Sequence, residues 1–124
     1  MTRRRQMVGK AGEEAARSYL QRRGYRVVEA NYRSRFGEID LIAFQGSTLV
    51  FVEVRCRTGS SFGLPEESVT PEKMRRLQKA ALSYMQLRFG REVACRFDLI
   101  AVLLDGESMA VQDLRHYRGI ELVG

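Results

Sequence analysis

Apolar residues recur at helical spacing at Val8, Ala11, Ala15, Ala16, Tyr19 and Leu20, and Gly24 follows Arg23 as a stop signal. A first helix is predicted over Val8 to Leu20. Tyr25 to Glu29 reads as a short strand; beyond the polar stretch Asn31 to Arg35, Glu38 to Phe44 reads as a second and Leu49 to Arg55 as a third. A loop bearing Gly, Ser and Pro lies between Arg57 and Val69. Thr70 can then cap a second helix and Pro71 suits its first position. That helix runs to about Arg88, with Met74, Leu77, Ala81, Tyr84 and Met85 on one face. Val93 to Leu104 is almost continuously apolar, the pattern of a strand covered on both sides. Asp105-Gly106 marks a turn into a short strand near Met109 to Gln112, and the tail from Asp113 is ambiguous. The order α-β-β-β-α-β with a last hairpin strand predicts an α/β fold, a mixed central sheet flanked by helices. The second helix would be the crossover that joins strands three and four in parallel.

The 124 residues and 14.2 kDa allow one domain with one core and no separate cofactor domain. At 44% hydrophobic and 29% charged, the chain has the material for that core. Cys56 and Cys95 are too few and too isolated for a zinc ribbon or a Cys-x-x-Cys redox centre, and two reduced thiols are expected. No apolar run approaches the ~18 residues that a membrane span needs. The basic start is not followed by the apolar core of a signal peptide, so a cytoplasmic protein without a membrane partner is expected.

Charge changes the picture most. The net charge is +6 and the sequence pI about 9.8, which suits polyanions. Residues 1–35 hold 10 Lys and Arg against 3 Asp and Glu, whereas residues 36–124 hold 11 against 12. The surplus lies in a short basic arm over residues 1–8, the first helix and the approach to the second strand. Arg3, Arg4, Arg5, Lys10, Arg33 and Arg35, with Arg57 and Lys73 flanking the central loop, are the cations expected to grip a phosphate backbone.

The candidate chemistry comes from strand alternation. Asp40, Ile42 and Phe44 share one side of the second strand, and Leu49, Phe51, Glu53 and Arg55 one side of the third. A two-residue turn at Gly46-Ser47 pairs Gln45 with Thr48, which sets Asp40 opposite Glu53 and Glu38 opposite Arg55. Directly opposed side chains stand about 4.5 to 5.5 Å apart at Cβ, so two carboxylates repel unless something neutralises them. Arginines on a solvated sheet face could do so. A hard divalent cation with oxygen ligands is the alternative.

The chain resembles a known family at Gly9-x-x-Gly12-Glu13-x-x-Ala16, Asn31-Tyr32-Arg33, Gly37-Glu38-Ile39-Asp40-Leu41-Ile42, Phe51-Val52-Glu53-Val54-Arg55-x-Arg57 and Arg96-Phe97-Asp98. These motifs run in order over Val8 to Val102 and are similar to those of the YraN-type family of small bacterial proteins. That family is related to the PD-(D/E)xK nuclease superfamily and to archaeal Holliday junction resolvases. The resemblance implies a single restriction-endonuclease-like αβββαβ domain over residues 1–124, with Asp40 as the motif aspartate, Glu53 as the second acid and Mg²⁺ or Mn²⁺ as cofactor. Arg55 stands where the superfamily has lysine. Its pKa forbids a base, which leaves charge stabilisation or phosphate positioning, or else a structural ion pair with Glu38. Glu13 matches the acid that related nucleases carry on the first helix, and is either a third metal and catalytic carboxylate or an ordinary first-turn acid. Gln78 occupies a place where some related nucleases present a polar side chain. Asp98 is expected to be structural, holding Arg96 or Arg33, and His116 to be solitary.

The function expected is a metal-dependent endonuclease that hydrolyses phosphodiester bonds in DNA, with branched or recombination intermediates as substrates. A nucleic-acid-binding module that keeps the fold without turnover is the alternative, with Arg55 as its sequence hint. A scaffold for a protein partner is a third. Resemblance to resolvases adds an expectation of a homodimer.

Overall fold

The computed structural model describes residues 3–59 and 69–120. Most of the loop expected between Arg57 and Val69 lies outside the described residues. The elements are α1 (Arg3–Arg22), β1 (Arg26–Ser34), β2 (Gly37–Gln45), β3 (Thr48–Thr58), α2 (Pro71–Phe89), β4 (Cys95–Leu104) and β5 (Val111–Tyr117). They build one five-stranded sheet in the order β1-β2-β3-β4-β5. Only β3 and β4 run parallel, as the α2 crossover requires; the other neighbours are antiparallel.

Strand alternation divides the core. Val50 and Val52 of β3 face the cluster of Ala16, Leu20, Leu41, Ala43, Ile100 and Val102, against which α1 packs. Leu49 and Phe51 face the opposite cluster with Ile42 and the α2 residues Met74, Leu77, Ala81, Tyr84 and Met85. The helical faces are those the spacing predicts. Thr70 caps α2 by accepting from the Lys73 amide at 3.2 Å, and Gly90 ends it in the left-handed conformation.

Three elements are longer than the sequence suggests. α1 begins at Arg3, so residues 3–8, expected as an arm, form its first two turns. β1 continues to Ser34 through a polar segment, because an edge strand need not alternate cleanly. Its ladder shifts between Val27 and Glu29, and Asn31 adopts a positive φ of 54°. β5 extends from Val111 to Tyr117 and takes in the ambiguous tail. No helix among the described residues is long and apolar enough to cross a membrane.

Gly12 sets the approach of α1 to the sheet. A Cβ there would stand 2.5 Å from Cys56 Cβ and 2.6 Å from its Sγ. Gly12→Ala is therefore expected to cost about 1–3 kcal/mol in urea denaturation, as overpacking does. Cys56→Ala should not rescue it, because the offending Cβ remains. Cys56→Gly should recover a substantial part of the loss.

Candidate metal and phosphate site

The site forms where the sheet forks. β2 and β3 are paired from Gln45 and Thr48 as far as Leu41 and Val52, the register expected from the two-residue turn. Beyond that point β2 continues beside β1 to Gly37, and β3 beside β4 to Thr58. Asp40 sits at the fork and Asp40 Oδ2 accepts from the Val54 amide at 2.8 Å. A side-chain oxygen thus takes the place of the backbone acceptor that the parting strand withdraws.

Asp40 and Glu53 are neighbours at the fork, close enough for each carboxyl group to act on the other. Burial foremost, then the bond to Glu53 and its charge, push the Asp40 pKa up to about 8, against the opposing Val54 amide and Arg55. The raised value belongs to the pair, which resists carrying two bare charges. Glu53 is largely enclosed and accepts from Arg55 Nη2 at 3.2 Å. Arg55 Nε is buried and has no hydrogen-bond partner among the described residues.

Above the fork opens a cavity of about 890 Å³. Asp40, Glu38, Val54, Arg55 and Arg57 line it from the strands, and Arg4, Arg5, Gly9 and Glu13 from α1. The expected opposition of Glu38 and Arg55 does not form. Glu38 stays with β1, where its nearest cation is Arg33 at 3.9 Å, and Arg55 turns to Glu53 on its own strand. The register cannot carry past the fork. Glu53 is not part of the lining and meets the cavity through Asp40 and Arg55.

Glu13 shares the cavity wall with Asp40, and Asn31 Nδ2 donates to Glu13 Oε1 at 2.8 Å. Its pKa is raised, by burial first and by the charges of Asp40 and Glu38, against the Asn31 hydrogen bond. Among the described residues no three His, Cys, Asp or Glu converge into one metal-binding group, so Glu13 does not join the Asp40–Glu53 pair directly. Asn31, absent from the sequence-derived site, orients this acid. The structure marks Asn31 by its positive φ of 54° within a strand.

Of the expected phosphate-gripping cations, Arg4, Arg5 and Arg57 line the cavity. Arg4 Nη2 also donates to the Gly106 carbonyl at 2.6 Å, which ties α1 to the β4–β5 turn. The first turn of α1 carries no acid, so its positive end and Arg3, Arg4 and Arg5 add to one another. Arg3 and Lys10 are exposed on α1 but off the lining. Arg33 is exposed on β1, Arg35 lies over the Phe36 ring at 4.8 Å, and Lys73 is half-buried at the start of α2. Gln78 lines a separate groove with Leu82 and Phe97. Burial pushes the Cys56 thiol at the cavity wall up to about 11, which leaves no thiolate there at neutral pH.

Asp98 is fully buried and structural, as expected, and accepts from Arg96 Nε at 3.0 Å. His116 is not solitary: its Nε2 lies 2.7 Å from Asp98 Oδ2, and Tyr19 Oη lies 3.1 Å from its Nδ1. Eighteen positions of sequence separation hide a partnership between adjacent antiparallel strands.

The protein family described as uncharacterised protein family UPF0102 matches residues 12–102, a span that includes Glu13, Asp40, Glu53 and Arg55. A UPF0102 protein of Syntrophus aciditrophicus (strain SB) is 46% identical over 104 residues, 84% of this chain and 82% of the relative. One from Pelotomaculum thermopropionicum (strain DSM 13744 / JCM 10971 / SI) is 45% identical over 113 residues, 91% of this chain and 93% of the relative. A third, from Chlorobium limicola (strain DSM 245 / NBRC 103803 / 6330), is 50% identical over 98 residues, 79% and 76% of the two chains.

Proposed function

The chain belongs to the uncharacterised protein family UPF0102, and we propose that it is a metal-dependent endonuclease acting on the phosphodiester backbone of nucleic acid, with Asp40 and Glu53 as ligands of Mg²⁺ or Mn²⁺. The observation that carries this reading is the carboxylate pair itself: two acids in contact at a strand fork, on the approach to a cavity rimmed by arginine. Such a pair is costly as two bare charges and suits a hard cation, which often takes one or two carboxylates and leaves its other positions to water and phosphate. When bound there, the ion supplies an activated water and polarises the scissile phosphate.

The chain's own residues do the rest. Arg55, which cannot serve as a base, holds Glu53 in place and lends the charge of its guanidinium to a phosphate from the cavity wall. Glu13 adds negative potential from the wall of the same cavity. Arg4, Arg5 and Arg57 grip the flanking backbone, with the positive end of α1 behind them. The reading aligns the chain with the PD-(D/E)xK nucleases, with Arg55 in the lysine position, and makes branched DNA the first substrate to examine.

One observation favours a second reading, a nucleic-acid-binding module without turnover. The Arg55–Glu53 ion pair already neutralises one of the two acids from within the chain. A panel of branched, flapped and single-stranded DNA with Mn²⁺ separates the two. The endonuclease reading expects cleavage that EDTA stops and that Asp40→Ala lowers at least about a hundredfold. Salt-sensitive binding with no cleavage under either cation supports the second reading. No affinity for nucleic acid at physiological salt overturns both.

A further inference from the structure

The two edges of the sheet differ in a way that the cavity does not explain. β1, one edge, is interrupted by its register shift and by Asn31 at positive φ, devices that discourage a further strand from adding. β5, the other edge, has β4 on one side and no strand on its outer side among the described residues. It contains neither Lys nor Pro, and its ladder irregularity is confined to its beginning, beside Leu104. Two of the exposed large apolar residues, Val111 and Tyr117, lie at its ends, 50% and 38% exposed.

The order of side chains along β5 is self-complementary. About Leu114, Asp113 and Arg115 are each one position away and share the face opposite to Leu114. We infer that β5 is a homodimerisation edge, pairing antiparallel with β5 of a second copy about a two-fold axis at Leu114. Such an isologous pairing sets each Asp113 opposite the second copy's Arg115 on the face turned away from α1. Within one copy Arg115 Nε already donates to Asp113 Oδ2 at 2.9 Å. The second strand extends that pair into an alternating row of four charges. On the α1 side, Val111 and Leu114 line a groove of about 310 Å³ with Ala15, Tyr19 and Arg22, into which the second copy's Leu114 would project. The inference is independent of the chemistry proposed for the cavity.

Sedimentation equilibrium at micromolar concentrations tests it. The wild type is expected to be dimeric, and Asp113→Arg or Arg115→Asp to weaken dimerisation about tenfold or more, since each places like charges opposite one another twice. The double variant Asp113→Arg/Arg115→Asp restores the complementarity and should return the dissociation constant to within about threefold of wild type. A monomeric wild type, single variants that dimerise unchanged, or a double variant without recovery would each overturn the inference. Hydrogen exchange of the wild type adds a reading that needs no substitution: β5 amides should gain protection as protein concentration rises, and concentration-independent exchange would also overturn it.

Discussion

Replacing Asp40 by Asn is expected to leave stability below about pH 4 almost unchanged, to raise the melting temperature near pH 9 by about 5 °C or more, and to abolish any stabilisation by Mg²⁺ or Mn²⁺. The folded-state pKa of Asp40, pushed to about 8, lies above the ordinary carboxylate value of 3.8. The folded protein therefore binds this proton more tightly than the unfolded chain. The stability it contributes is complete below about pH 4 and is lost as pH rises through about 8. Asn mimics the protonated acid: its oxygen can accept from the Val54 amide and its nitrogen can donate to Glu53, at every pH. Wild type should thus fall away from the variant as pH rises from about 4 to about 8 and run parallel to it above that. A bound cation replaces the proton as the neutralising charge, so added Mn²⁺ should restore wild type at pH 9 and do nothing for the variant. Thermal unfolding of both proteins from pH 4 to 9, with and without Mn²⁺, checks this. Parallel pH profiles would remove Asp40 as the proton holder, and a wild type indifferent to Mn²⁺ would remove the metal site.

The layers of the fold were legible because each strand reports its surroundings through a period of two, and β3 does so most clearly. Val50 and Val52 belong to one core cluster, and Leu49 and Phe51 to the other, as alternation requires. Thr70-Pro71 placed the start of α2 to the residue, since a cap and a proline at the first helical position are local chemistry. β1 and β5 were less legible because they are edges. Their outer positions answer to solvent, so Asn31 to Ser34 and Asp113 to Tyr117 carry no hydrophobic signal strong enough to announce a strand.

For the candidate site, the turn at Gly46-Ser47 was the decisive local feature, because a two-residue loop sets the register of a whole hairpin. It carried correctly as far as Leu41 and Val52, one step short of Asp40 and Glu53. Past that step β2 follows β1 and β3 follows β4, a competition between neighbours that no hairpin rule contains. Glu38 and Arg55 lie beyond the fork, which is why they do not meet. Asn31 and His116 escaped for a related reason. Each acts through a residue on another element, Glu13 on α1 and Asp98 on β4, and only packed elements bring such pairs within hydrogen-bond reach.

Asp98→Ala is expected to be the most destabilising single substitution discussed, costing about 3–5 kcal/mol in urea denaturation at pH 7. Its carboxylate, fully buried, accepts from Arg96 Nε at 3.0 Å and Nη2 at 3.3 Å, from the Gly119 amide at 3.0 Å and from His116 Nε2 at 2.7 Å. All of these partners are donors. Removing the acceptor leaves a guanidinium without its counter-charge and an enclosed imidazole without its partner, while among the described residues Arg96 keeps its bond to the Tyr25 hydroxyl at 2.8 Å. Asp98→Asn should recover only part of the loss, since its nitrogen can donate to His116 Nε2 in one tautomer but still meets the Arg96 Nη2 donor and carries no charge for the guanidinium. Although burial opposes it, the bonds from His116, Arg96 and Gly119 hold the Asp98 pKa below its ordinary value of 3.8, so its sign is opposite to that of Asp40. This contribution is present above the unfolded carboxylate pKa and is lost as pH falls through the lowered folded one. The gap between wild type and Asp98→Ala should accordingly narrow in strong acid and stay open at neutral pH. The two aspartates would then act with opposite sign, Asp98 losing its contribution as pH falls and Asp40 losing its own as pH rises towards about 8. If the gap were constant down to pH 2, the loss would come from packing alone and Asp98 would not act through its charge.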